Sequence, residues 1–111
     1  MKLLILGGYG VFGGRLAQLL ADEPRLTILI AGRDLARAQA FCAGWTGAAK
    51  VRPVQVDRAD LTAVLASEHP DILIDASGPF QTYGDDPYRA LRTTIAAGVN
   101  YLDLADGADF V

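Results

Sequence analysis

The chain has 111 residues, enough for one domain, and 51% of them are apolar, enough for one compact core. A net charge of −3 with no basic run argues against a nucleic-acid surface, and an opening apolar run that dissolves into glycine after Leu6 is neither a signal peptide nor a membrane span. Cys42 is the only cysteine, which excludes an internal disulfide and a multi-cysteine metal site; no metal is expected, and a reducing, cytoplasmic compartment is the default.

Residues 2–6 read as a first strand, apolar on both faces, of the kind found at the centre of a parallel sheet covered by helices. A glycine cluster follows at once. Gly8, Gly10 and Gly13 spell G-x-G-x-x-G, while Gly7, Gly10 and Gly13 spell G-x-x-G-x-x-G, so the register stays open. In either register the first glycine turns the chain sharply off the strand. The second lets backbone approach a pyrophosphate, and the third lets a helix pack closely on the strand. The helix N-terminus then offers unpaired N–H groups to phosphate. Strand before and helix after is the context that a dinucleotide-binding turn requires; the alternative is a glycine-rich connector without a ligand.

Phe12, Leu16, Leu19 and Leu20 recur at helical spacing and predict a first helix with that buried stripe, running to about Asp22 before Pro24. Residues 26–30 form a second strand. Asp34 caps a second helix with Leu35, Ala38, Phe41 and Cys42 on one face and Gly44 as its stop. Residues 51–56 form a third strand, and Asp57 can cap a helix carrying Leu61, Val64 and Leu65. Residues 72–74 are a fourth strand, followed by an Ala76-Ser-Gly-Pro-Phe80 loop. Asp86-Pro87 opens a fourth helix with Tyr88, Leu91 and Ile95 buried and Gly98 at its end; residues 99–104 are a fifth strand.

This alternation predicts an α/β, Rossmann-type, doubly wound parallel sheet of five strands in the order 3-2-1-4-5 with four helices. The ligand belongs over the strand C-termini, between strands 1 and 4. The turn residues Gly8, Tyr9, Gly10, Val11, Phe12 and Gly13 are therefore the first candidates for cofactor binding. Strand 2 ends Ile30-Ala-Gly-Arg33 without the carboxylate that holds the ribose hydroxyls of NAD, and the Arg33 guanidinium can pair with a 2′-phosphate instead. That favours NADP, unless Arg33 is a solvated loop residue; Arg15 is a weaker second candidate. Asp57 either accepts from the adenine amino group or only caps the next helix. Ala76, Ser77, Gly78 and Pro79 should pass under the nicotinamide-side ribose, or form a plain turn.

Four segments in this order, Gly7-Gly-Tyr-Gly-Val-Phe-Gly13, Ala31-Gly-Arg33, Ala76-Ser-Gly-Pro-Phe80 with Tyr83-Gly84, and Gly98-Val-Asn-Tyr-Leu-Asp103, resemble the N-terminal NADP-binding domain of the saccharopine dehydrogenase-like oxidoreductases. The resemblance covers nearly the whole chain. It implies that Gly8, Gly10, Gly13 and Arg33 bind the nucleotide, that Gly78, Pro79 and Phe80 lie near the nicotinamide, and that strand 5 leads toward a separate substrate and dimerisation domain. Two departures stand on the substrate side: Asp75, where asparagine or a small residue is common, and Asp106-Gly107, where the family often has Gly-Glu.

No catalytic set can be assigned. His69, Lys2 and Lys50 precede strands, at the wrong end of the sheet; Cys42 reads as core; Asp75, Tyr83, Asp85 and Asp103 lie nearer the right end without forming a set. Tyr88 and Arg92 have the spacing of a short-chain dehydrogenase pair, but arginine cannot deprotonate to replace lysine. The expectation is that residues 1–111 are one dinucleotide-binding domain of a longer two-domain chain. The whole protein would pass hydride between NADPH and a small-molecule substrate, with no nucleic acid or membrane partner and with self-association through the apolar fifth strand. The rival expectations are a non-catalytic dinucleotide sensor and an atypical short-chain reductase.

Overall fold

Strand β1 (Lys2–Leu6) lies at the centre of the sheet, because Leu3, Leu4, Ile5 and Leu6 offer apolar side chains to both faces and both are covered. The computed structural model describes residues 1–57, 60–76 and 89–103. Within them β1 is followed by α1 (Val11–Leu19), β2 (Thr27–Gly32), α2 (Leu35–Ala43), β3 (Lys50–Gln55), α3 (Thr62–Glu68), β4 (Ile72–Asp75), α4 (Arg89–Ala96) and β5 (Asn100–Asp103). Every strand pair is parallel and the order is β3-β2-β1-β4-β5, as the alternation predicts. The register sets Leu4 beside Leu29 and Leu73, and Leu6 beside Ala31 and Asp75.

Alternation along the strands divides the core in two. Ile5, Ile28, Ile30 and Ile74 face α1 and α2 through Ala17 and Ala38. Leu4, Leu6, Leu29 and Leu73 face α3 through Leu61, Val64 and Leu65. Helix α4 lies beside α3 and against β5. Crossovers to β2 and β3 move one way from β1, those to β4 and β5 the other, so the chain parts at the C-terminal ends of β1 and β4.

The helices depart from the expected stripes in an informative way. Helix α1 ends at Leu19, short of Asp22, and its buried residues are Gly13, Gly14 and Ala17. Phe12 is 64% exposed and Leu19 74% exposed, contrary to expectation, while Leu16 and Leu20 pack from the flank. Small residues win the contact because they let the helix axis approach the sheet. Helix α3 starts at Thr62 rather than after Asp57, with Leu61 at its N-cap and no side-chain cap. It closes with His69 in the left-handed conformation, φ 48°. Among the described side chains of α4 Thr94 is buried and Ile95 is 62% exposed; the expected positions Tyr88 and Leu91, and the helix start at Asp86-Pro87, lie outside what is described of the side chains and backbone.

The two edges of the described sheet differ. Strand β3 carries Lys50, Arg52 and Pro53, a combination that discourages pairing with another chain. Strand β5 exposes Leu102. Leu104, expected in that strand, lies outside the described residues.

At the N-terminal ends of the strands, Glu68 closes α3 onto the sheet. Its carboxylate takes a bidentate pair from Arg52, 2.6 and 2.9 Å, and lies 3.7 Å from the Lys2 Nζ, which also donates to the Glu68 carbonyl. The Arg52 hydrogen bonds hold the Glu68 carboxyl below the usual glutamate range, against a smaller opposing effect of burial. A lowered folded value means that this stabilisation is present above the ordinary glutamate pKa and fades as pH falls through the lowered one. Glu68→Gln should therefore cost up to about 1 kcal/mol at neutral pH, and the gap from wild type should close on acidification. Urea melts of both proteins across the acid range check this.

Candidate functional site

The chain leaves β1 through Gly7, which sits at φ 73°, a conformation that strains any other residue. The N–H groups of Gly7 and Gly8 both donate to the Ala31 carbonyl, at 2.7 and 3.3 Å, tying the turn to β2. Gly10 donates to the Gly7 carbonyl at 2.9 Å and serves as the N-cap of α1. Gly13 then passes with its α-carbon against the turn. A Cβ there would strike the Gly7 carbonyl oxygen and stand 2.9 Å from its carbon and 3.0 Å from the Gly8 Cα. The two readings of the motif are thus not exclusive. Gly7 makes the turn, and Gly8 lets it lie on the sheet, because a Cβ at Gly8 would be 3.0 Å from the Ile5 oxygen and 3.1 Å from the Ile30 Cα.

Helix α1 has no side-chain cap, whereas in α2 the Asp34 carboxylate accepts the Arg37 N–H at 3.1 Å. The N–H groups of Val11, Phe12 and Gly13 open the helix and have no carbonyl within it to bond. They carry the positive end of the helix dipole. Val11 and Phe12 turn their side chains to solvent, Val11 being 84% exposed, so backbone faces the space above the turn. Gly8, Gly10 and Gly13 add no side chain beside these N–H groups, and a helix N-terminus of this kind favours an anion.

The tip of β2 carries the second half of the arrangement. Tyr9 reaches from the turn to this tip, and its hydroxyl oxygen accepts the Asp34 N–H at 3.1 Å. Its ring covers Gly32 so closely that a Cβ on Gly32 would lie 2.6 Å from the Tyr9 Cζ. The Arg37 guanidinium carbon stands over the same ring, 4.8 Å from its centroid. Arg33 and Arg37 are exposed, and neither forms an ion pair among the described residues. The Arg33 carbonyl accepts from the Gln55 side chain at 3.3 Å, which fixes the β2 tip to β3.

The other candidates fall as follows. Asp57 is exposed at the end of β3 and does not cap α3; its carbonyl accepts the Asp60 N–H in a turn, so the capping alternative falls. Ala76 donates to the Leu6 carbonyl at 2.9 Å, at the parting of β1 and β4. Ser77, Gly78 and Pro79 lie outside the described residues, as do Phe80, Tyr83 and Asp85. Asp75 is buried and accepts from the Tyr101 hydroxyl at 3.1 Å, a tie between β4 and β5. Arg15 is exposed on α1. His69 and both lysines sit at the opposite end of the sheet. Burial pushes the Cys42 thiol up, which disfavours the thiolate. Among the described residues no group of His, Cys, Asp and Glu could hold a metal ion, and no helix is long and apolar enough to cross a membrane. Arg37 and the Tyr9 bridge escape the sequence reading; the available signal was an aromatic residue between the glycines and a second arginine four positions after Arg33.

The family model described as the saccharopine dehydrogenase NADP binding domain matches residues 3–108. The chain belongs to this family. Its cofactor is a nicotinamide dinucleotide, and its family is one of oxidoreductases. No curated protein matches it. Among solved structures, the L-glutamate-forming saccharopine dehydrogenase of Saccharomyces cerevisiae superposes with a TM-score of 0.66 at 22% identity, over 92% of this chain and 21% of the yeast chain. A 3-oxoacyl-[acyl-carrier protein] reductase of Brucella melitensis gives 0.62 at 20% identity, over 86% of this chain and 45% of its own. A structure of such a reductase from the same organism with bound NAD gives the same score and identity. At these identities the likeness is one of fold. The chain spans about a fifth of the yeast enzyme's length and under half of the reductase's.

The crowding around Gly13 has a measurable consequence. Gly13→Ala should destabilise the domain by about 1–3 kcal/mol, the usual cost of overpacking against backbone. Gly10→Ala, whose added Cβ would meet the Gly7 oxygen at a more tolerable 3.2 Å, should cost less stability while weakening nucleotide binding. Chemical melts alongside NADP titrations separate the two effects; a Gly13→Ala protein as stable as wild type would contradict the contact.

Proposed function

We propose that this domain binds NADP(H) in preference to NAD(H), with the pyrophosphate on Gly8, Tyr9, Gly10, Val11, Phe12 and Gly13 and the adenosine 2′-phosphate at Arg33. The observation that carries this reading is the tip of β2. Neither residue at the strand end carries a carboxylate for the ribose hydroxyls: Ala31 is buried in the core, and the Tyr9 ring lies over Gly32. The exposed Arg33 guanidinium follows immediately, and it pairs with a phosphate dianion in a way it cannot with a hydroxyl. The family model carries NADP in its description, which supports the same choice.

In this reading Asp57 lies on the adenine side, and Ala76, Ser77, Gly78 and Pro79 lead the chain past the nicotinamide-side ribose. A bound nicotinamide dinucleotide supplies the hydride. The residues of this domain bind and orient. The described strand C-termini carry no histidine, lysine or cysteine, so we assign substrate recognition and proton transfer to a further domain of a longer oxidoreductase acting on a small molecule. A reducing, cytoplasmic compartment suits the single half-buried Cys42.

Calorimetric titration of wild type and Arg33→Ala with both nucleotides tests the assignment. The substitution should weaken NADP by roughly tenfold to a hundredfold, equivalent to a charged hydrogen bond of about 1.5–3 kcal/mol, and leave NAD nearly unchanged. Added salt should erode the preference, since the pair is exposed. Equal wild-type affinity for the two nucleotides would overturn the NADP assignment.

A further inference from the structure

Arg37 occupies an unfavourable position for a cation. It lies in the first turn of α2, beside the positive end of the helix dipole, and among the described residues no carboxylate pairs with its guanidinium. Its backbone N–H is already used by the Asp34 cap. What holds the side chain is the Tyr9 ring, 4.8 Å from the guanidinium carbon. That stacking leaves the five N–H donors at the edge of the guanidinium plane free to meet a planar or tetrahedral anion.

Tyr9 is itself pinned by two contacts. Its ring lies on Gly32, where an added Cβ would push it aside. Its oxygen accepts the Asp34 N–H, so the phenolic hydrogen remains to be donated elsewhere. The bond to Asp34 also sets that hydroxyl next to the residue following Arg33. Three donor-bearing residues, Arg33, Arg37 and Tyr9, thus stand at one strand tip. The one carboxylate in the turn, Asp34, is turned onto the helix as its cap.

We propose that Tyr9 and Arg37 complete, together with Arg33, a pocket for a phosphomonoester on the 2′-oxygen of the adenosine ribose, with Tyr9 as both hydroxyl donor and stacking platform for Arg37. The proposal rests on the NADP reading and deepens it. It assigns the 2′-phosphate to three side chains: Tyr9 of the β1–α1 turn, Arg33 of the β2–α2 turn and Arg37 of the first turn of α2. The phosphate dianion would offset the charge of both arginines and of the α2 N-terminus at once. It also makes Gly32 a specificity position, because any side chain there displaces the ring that orients Arg37.

Adenosine 2′,5′-bisphosphate and adenosine 5′-monophosphate are suitable probes, since they differ only in the group in question. Calorimetry with wild type, Arg37→Gln, Arg37→Lys, Tyr9→Phe and Arg33→Ala gives the ratio of the two affinities for each protein. Arg37 is exposed, so its variants should melt with wild type, while Tyr9→Phe keeps the ring and loses only the hydrogen bond from the Asp34 N–H, about 1 kcal/mol. Arg37→Gln should lower the ratio about tenfold, and Tyr9→Phe about threefold to tenfold, with the monophosphate affinity unchanged. Arg37→Lys should restore most of the ratio, because it retains the charge. A wild-type preference for the bisphosphate that depends on Arg33 alone would overturn the pocket and leave the NADP reading intact. Equal losses for both probes in Arg37→Gln would make Arg37 a structural residue and also overturn it. No wild-type preference for the bisphosphate would overturn both.

Discussion

The first turn of α1 lies tightly against the turn that leaves β1. Gly13 has its α-carbon where a Cβ would strike the Gly7 carbonyl oxygen, and that oxygen accepts the Gly10 N–H. The helix can come this close only because Gly13, Gly14 and Ala17 form its buried face. The approach fixes where the helix N-terminus points, and hence where its unbonded N–H groups point. The same turn is anchored to β2 by two bonds to the Ala31 carbonyl, so the β1–α1 turn and the β2 tip are tied together. Tyr9, rising from the middle of that turn, inherits its position from it.

The rest of the chain supports this unit from below and behind. Strand β1 is held on both sides by strands of the same apolar character, and the two core clusters press helices onto both faces. At the far end, Glu68 joins α3 to β1 and β3 through Lys2 and Arg52. The reactive side chains of the sequence, His69 and the lysines, are gathered at that end, away from the strand C-termini. In the proposed reading the domain separates stability, concentrated in the sheet and at its N-terminal ends, from recognition, assigned to two turns at the other end.

Strands were legible in the sequence because continuous apolar runs bounded by glycine, proline and polar residues have few other readings, and the strand order followed from their alternation with helices. The helix faces were less legible. Phe12 and Leu19 repeat at helical spacing with Leu16, yet they are exposed, because Gly13 and Ala17 take the contact and carry no hydrophobic signal in a periodicity argument. Asp57 at the end of β3 reads as a cap in sequence, but α3 starts only at Thr62, with Leu61 as its N-cap. At the site, the glycines and Arg33 could be read locally. The Tyr9 bridge to Asp34 and the stacking of Arg37 could not, because they join residues separated by 25 positions or more and arise only once β1 and β2 are paired.

The central claim is that the β1–α1 turn and the β2 tip together form the dinucleotide site. Amide NMR of the domain titrated with NADP tests it most directly, since each backbone N–H reports separately. The account predicts that the largest shifts fall on residues 8–13 and 32–37, with those around Glu68, Lys2 and Lys50 unmoved. Shifts concentrated at the N-terminal ends of the strands, or a spectrum unchanged by saturating nucleotide, would contradict it.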